Sequence, residues 1–149
     1  MKRIAKFEKI GMASDTTILP RRATAGSAGY DFFAPFGITL KTGETVIVPT
    51  GVRVKIDEGW VLKIYPRSGL GFKYRVQLDN TVGIVDSDYY YSDNEGHIFI
   101  KITNDSKEGK TVTIKQGEGF AQGVFVEYGI TYDDEVKQIR NGGFGSTNK

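Results

Sequence analysis

The residues that could do chemistry cluster where apolar runs give way to turns. Gly83-Ile84-Val85 leads straight into Asp86-Ser87-Asp88-Tyr89. An acid at the end of an apolar strand has two readings. Asp-Ser-Asp is ordinary turn chemistry, with Asp86 as the cap. Alternatively, Asp86 is a carboxylate held at a pocket mouth to take a proton from water. Pro66-Arg67-Ser68-Gly69-Leu70-Gly71 gathers a guanidinium, a hydroxyl and free backbone N–H groups where a helical turn could begin, which suits an anion; taken alone, Arg-Ser-Gly reads as a loop. Gly26-Ser27-Ala28-Gly29-Tyr30-Asp31 is a run of small residues ending in an acid, and its plain reading is a tight loop entering a strand. Gly119-Phe120-Ala121-Gln122 opens an apolar stretch in which Gln122 is a buried amide that needs partners.

The C-terminal run Arg140-Asn141-Gly142-Gly143-Phe144-Gly145-Ser146-Thr147 differs from the rest. The plain reading is a frayed terminus. Yet it holds flexible N–H donors, two hydroxyls, a guanidinium and an aromatic plate, the parts that bind phosphate and stack on a base.

The elements that must position these groups are strands. Gly51 to Ile56, His97 to Thr103 and Thr111 to Lys115 alternate apolar and polar residues, the pattern of strands with one wet face. Trp60 to Tyr65, Val76 to Leu78, Gly83 to Val85 and Phe120 to Val126 read as more fully buried strands. Glycine-rich turns at 41–44, 57–59, 104–109 and 116–119 separate them, as in a sandwich or barrel. The only helical expectation is one short turn beginning near Ser68, with Ser68 as its cap. Apolar spacing lapses from Asp133, which predicts a β-barrel domain over 1–138 and a flexible arm over 139–149.

Composition narrows the chemistry. The chain has 149 residues, no cysteine, a single histidine (His97) and a formal net charge of +2. Disulfides, thiolate nucleophiles and multi-histidine metal sites are thereby excluded. The charge calls for neither nucleic acid nor an anionic membrane. No run approaches the ~20 apolar residues of a membrane span, and the N-terminus lacks a secretory apolar core, so the expected location is cytoplasmic.

In this order, the stretches AGSAGYDFFA (25–34), PRSGLG (66–71), NTVGIVDSDY (80–89), GEGFAQ (117–122) and RNGGFGST (140–147) resemble the five motifs of the trimeric dUTPases. The resemblance implies an all-β, distorted jelly-roll-like β-barrel with at most one short helix. It also implies a homotrimer with shared active sites, each closed by a neighbour's C-terminal arm. The implied reaction is hydrolysis of dUTP to dUMP and pyrophosphate, which keeps uracil out of DNA and supplies dUMP. Mg²⁺ would be bound through the substrate triphosphate and water, with no protein ligand. Asp86 matches the base that deprotonates the attacking water. Asn80, Gly83 and Ile84 match the hairpin that reads uracil, Tyr89 the ring beneath the deoxyribose, and Phe99 an edge of the same pocket. Arg67, Ser68 and Gly69 match the phosphate loop, Gln122 an amide near the α-phosphate, and Asp31 a structural support for the loop arginine. Phe144 would stack on uracil, while Arg140, Gly145, Ser146 and Thr147 would grip the γ-phosphate.

Three features depart from the family pattern. Tyr90 to Glu95 intervene before Gly96, where the family has one residue between the tyrosine and a glycine; this predicts a longer loop near the sugar pocket. Arg75 stands where glycine is common, and only Asn141 separates Arg140 from the glycine pair. Two other readings share the fold: a dCTP deaminase, and a member that binds a regulatory protein through the insert.

Overall fold

The computed structural model describes residues 1–140; the expected arm residues Phe144, Gly145, Ser146 and Thr147 lie outside the described residues. The strands are β1 (Ala5–Lys9), β2 (Tyr30–Phe33), β3 (Ile38–Leu40), β4 (Thr45–Pro49), β5 (Val52–Ile56) and β6 (Trp60–Pro66). After the helix α1 (Ser68–Tyr74) follow β7 (Val76–Leu78), β8 (Gly83–Val85), a 3₁₀ helix (Ser87–Tyr91), β9 (Phe99–Asn104), β10 (Val112–Ile114) and β11 (Gly119–Glu127).

The strands form small antiparallel sheets in the orders β1-β5, β10-β3, β2-β11-β6-β8 and β4-β9-β7. They close as a distorted jelly-roll-like barrel around one cluster that includes Phe32, Leu62, Ile100, Ile102, Ile114 and Phe120. Period-two burial fixes the register, because a one-residue slip would turn each apolar set to water. In β5, Val52, Val54 and Ile56 face inward while Arg53 and Lys55 do not. The longest strand, β11, carries a bulge between Gly119 and Ala121, and the intervening Phe120 drops into the core with no exposure.

Three local expectations change. Ser68 does not cap α1: Arg67 holds the cap position in an extended conformation, and no side chain bonds the helix start. Pro66 and Arg67 continue the line of β6, so the first helical φ/ψ falls on Ser68. Second, β8 is an edge strand and only half-buried; Gly83 and Val85 face in, but Ile84 is 54% exposed. Third, the Asp86-Ser87-Asp88 turn continues into a 3₁₀ helix. At the other end of α1, Arg75 takes a left-handed conformation (φ 53°). This is the conformation glycine adopts without strain, and the Arg75 guanidinium is tied 2.7 Å from Asp105.

Among the described residues, one side-chain amide is fully buried. Asn104 is wholly enclosed; its Nδ2 donates to Leu40 O (2.9 Å) and Lys110 O (2.8 Å), and its Oδ1 accepts from Ser106 N–H (2.9 Å). It ties β9 to β3 and to the loop before β10. Asn104→Ala removes the side-chain partner of two buried backbone groups, Leu40 O and Ser106 N–H, and one of the bonds to Lys110 O. It should therefore cost about 3 kcal/mol of stability, seen as a lower midpoint in urea unfolding.

Candidate functional site

Residues from β2, β6, β11 and the loop before β2 make the first group. Because β11 lies between β2 and β6, Gln122 is paired with Asp31 on one side and Tyr65 on the other. The next residues along β6 are Pro66 and then Arg67. Arg67 Nε stands 3.5 Å from Asp31 Oδ1, and its Nη1 donates to Gly119 O at 3.5 Å. A Cβ at Gly119 would lie 2.7 Å from Arg67 Nη1, so a side chain there would displace the guanidinium. Gln122 Nε2 donates to Pro66 O at 3.2 Å, and a Cβ on Gly29 would run into the Gln122 side chain. Asp31 is mostly enclosed and the Arg67 side chain is 45% exposed. One side of the guanidinium is thus braced while its remaining donors face solvent beside Ser68 and Gly69. A planar fork held in this way suits an oxyanion.

The second group surrounds Asp86. Its backbone carbonyl accepts from Tyr89 N–H at 3.1 Å, but its side chain makes no capping bond. The carboxylate is therefore not spent on the turn. It is half-exposed and receives Arg140 Nη2 at 2.7 Å, while Arg140 Nε reaches Asp88 Oδ1 at 2.8 Å. The Arg140 side chain is only 14% exposed. Its hydrogen bond to Asp88 holds its pKa above the ordinary arginine value, with the charges of both aspartates adding to the effect. No hydrogen bond or ion pair among the described residues joins this group to the Arg67 group.

The third group lines an apolar cavity of about 790 Å³. Asn80, Gly83 and Phe99 contribute to it, together with Ile64, Asp93 and Asn94. Asn80 and Thr81 make the tight turn after β7. Thr81 is left-handed (φ 70°), and its N–H donates to Leu78 O at 2.9 Å. Gly83 lets β8 approach β6 closely, since a Cβ there would sit 3.1 Å from that of Ile64. Tyr89 is buried behind this wall (9% exposed), and its hydroxyl donates to His97 O at 2.6 Å.

Several of these residues were not singled out from sequence: Gly29 and Gly119 as gaps for other side chains, Asp88 as the second acceptor for Arg140, Asn94 in the cavity wall, and His97. The glycines carried a signal, since glycine at a strand start marks close approach. For Asp88 the signal was absent, because its partner lies more than fifty positions away.

His97 links the barrel to the cavity. Gly51 N–H donates to its Nε2 at 2.9 Å, so that nitrogen is unprotonated, and its ring lies 4.3 Å from the Phe99 ring. Burial pushes its pKa down, opposed by the charge of Glu95. The unfolded chain therefore binds a proton at His97 more readily than the folded one, and stability from this residue is lost as pH falls below the ordinary imidazole value of about 6.5. His97→Gln should flatten that part of the curve of melting temperature against pH, while leaving the loss due to carboxylates at lower pH.

A protein-family model described as dUTPase matches residues 15–148. A deoxyuridine 5'-triphosphate nucleotidohydrolase of Lactococcus lactis subsp. lactis is 40% identical over 147 residues, covering 97% of this chain and 93% of its own. The crystal structure of a dUTPase from Streptococcus mutans is similar with a TM-score of 0.73 at 39% identity, covering 84% of this chain and 97% of that one. The dUTPase of Staphylococcus bacteriophage 80alpha, solved with dUPNHPP, has a TM-score of 0.72 over 97% of this chain and 98% of that one; at 24% identity it bears on the fold alone. With a barrel of this topology and a family match over nearly its whole length, the chain belongs to the dUTPase family.

Proposed function

We propose that Asp86 supplies the base with which this chain, a dUTP diphosphatase, cleaves dUTP to dUMP and pyrophosphate. The observation that carries this reading is the Asp86 carboxylate itself: spared from capping, half-exposed, and held by a guanidinium that an anion can draw away. The proton of the attacking water passes to Asp86 as its oxygen bonds the α-phosphorus. The bond from that phosphorus to the α–β bridging oxygen breaks, and pyrophosphate leaves with that oxygen. A carboxylate is a weak base at its ordinary pKa of roughly 4. It suffices when the water is aligned and the phosphoryl group polarised.

The other residues bind and orient. Arg67, braced on Asp31, presents free N–H donors to phosphate with Ser68 and Gly69 beside it, and Gln122 reaches the α-phosphate from β11. Asn80 and the backbone of Gly83 and Ile84 read uracil at the cavity, where a thymine methyl would clash. Tyr89 and Phe99 shape its sugar end. Arg140 is engaged by Asp86 and Asp88 until the triphosphate offers it a denser negative charge, so binding also uncovers the base. In this reading residues 139–149 form a separate arm, with Phe144 stacking on uracil and Gly145, Ser146 and Thr147 bonding the γ-phosphate.

In this reading the protein is a homotrimer with shared active sites, and the Arg67 and Asp86 groups, which no hydrogen bond or ion pair joins among the described residues, come from different copies. Mg²⁺ fits the oxygen chemistry of the site. It favours substrate phosphates and water over an all-protein cage, so it would be held through the triphosphate and water with no protein ligand. When bound on the triphosphate it neutralises charge on the leaving pyrophosphate. A cytoplasmic location accompanies an intracellular nucleotide substrate.

Asp86→Asn should cut kcat by roughly 10²–10⁴-fold and leave dUTP binding intact or tighter, because Arg140 loses a competitor for phosphate. Calorimetric titration of the variant with dUTP checks this; a loss of affinity matching the loss of rate would place Asp86 in the pocket instead. Removing residues 142–149 should weaken turnover of dUTP without shifting barrel unfolding. Pyrophosphate release from dUTP, dTTP, UTP and dCTP in parallel, with ammonia release from dCTP as the opposing outcome, tests the activity itself.

A further inference from the structure

The segment Tyr90–Glu95 is an addition to the family pattern, and it is firmly built. The 3₁₀ helix carries the chain to Tyr91, and Glu95 N–H then turns back to Ser92 O at 3.0 Å. Glu95 and Gly96 both take left-handed backbone (φ 63° and 73°). Gly96 is required there, since a Cβ would stand 2.7 Å from Tyr90 Cα. The outer side of the insert is pinned to the barrel. Tyr90 Oη donates to Glu8 Oε1 at 2.8 Å, and the Arg53 guanidinium lies 4.4 Å from the centre of the Tyr90 ring. The N–H of Gly11 also donates to Glu95 Oε2 at 3.3 Å.

Inside this loop, Asn94 is bonded at both ends of its amide. Its Nδ2 donates to the Tyr89 hydroxyl at 2.9 Å. Its Oδ1 accepts from Gly96 N–H at 3.2 Å. Tyr89 passes the chain on to His97 O. Asn94 and Asp93 also line the apolar cavity beside Asn80, Gly83 and Phe99. The insert therefore supplies wall to the cavity and fixes the hydroxyl of the buried tyrosine behind it.

We propose that Asn94 is a specificity-determining residue: by locking the Tyr89 ring and closing the cavity wall, it sets discrimination between a 2'-deoxyribonucleotide and a ribonucleotide. An amide tied at both ends cannot swing to greet an extra hydroxyl without breaking its own bonds. A 2'-hydroxyl entering here loses water and meets a rigid, poorly matched wall, and an unpaired buried hydroxyl is disfavoured. The inference rests on the reading of Tyr89 as the residue at the sugar.

The test measures kcat/KM for dUTP and UTP in the Mg²⁺-supplied enzyme and in Asn94→Ala, Tyr89→Phe, their double variant and Tyr89→Ala. The dUTP-to-UTP ratio should fall by about tenfold or more in Asn94→Ala and in Tyr89→Phe, and the double variant should fall no further than either alone, as coupled partners require. Should Asn94→Ala fold poorly in thermal melts, Asn94→Asp keeps the acceptor for Gly96 N–H, removes the donor to Tyr89, and should lower the ratio in the same way. An unchanged ratio in both Asn94 variants, with a lowered one in Tyr89→Ala, overturns the role of Asn94 and leaves the sugar reading standing. An unchanged ratio in Tyr89→Ala as well overturns both.

Discussion

The pairing of β11 with two neighbours at once is the constraint on which the phosphate side of the molecule depends. Gln122 lies opposite Asp31 on β2 and Tyr65 on β6, so a slip of β11 by one residue would both part Gln122 from Pro66 and turn Phe120 out of the core. The bulge after Gly119 lets one strand satisfy both demands. Its extra residue goes to the core, while Gly119 stays at the rim with no side chain to obstruct Arg67. The apolar core and the anion site are thus set by the same register. That coupling explains why the site sits at the end of a sheet rather than on a free loop.

The ion pairs at the site contribute more to position than to stability. Arg67 and Asp31 are 3.5 Å apart with the arginine nearly half-exposed, and pairs of that kind are worth about 0–1 kcal/mol. Their use is directional: Asp31 occupies one edge of the guanidinium, leaving the rest of the fork for a ligand. The Arg140 contacts differ. Arg140 is largely enclosed and bonded to two carboxylates at 2.7 and 2.8 Å, so releasing it needs a competing anion of comparable charge. A triphosphate meets that requirement; a neutral nucleoside does not.

Much of this was legible in the sequence, for reasons tied to particular residues. Period-two alternation marked β5, β9 and β10 because each has one face in water. The five motifs were readable because glycines, acids and amides at odds with a strand pattern stand out from it. The strands β1, β3 and β4 were not singled out. Ile84 was expected inside because apolar type alone cannot tell an edge strand from a central one. Ser68 was expected to cap α1, but the straight run of β6 through Arg67 decided where the helix began. Asn104 and His97 were invisible as structural keystones, because their partners come from distant parts of the chain.

The insert shows how an unusual sequence can be absorbed without loosening a pocket. The six residues between Tyr89 and Gly96 could have formed a floppy loop, with each ordered residue costing about 1–2 kcal/mol of backbone entropy. Instead the segment folds back on its own start, and Tyr90 and Glu95 bond outward to Glu8 and Gly11. Glu8 on β1 and Arg53 on β5 hold Tyr90, and Asn94 holds Tyr89. The anchors on the outer side let the inner side be rigid. A loop with only the Asn94–Tyr89 bond would exchange it for water; one fixed by Tyr90 as well presents Asn94 at a constant place in the cavity wall. Rigidity at that wall is what selectivity between two sugars differing by one hydroxyl demands, because a yielding surface accommodates either.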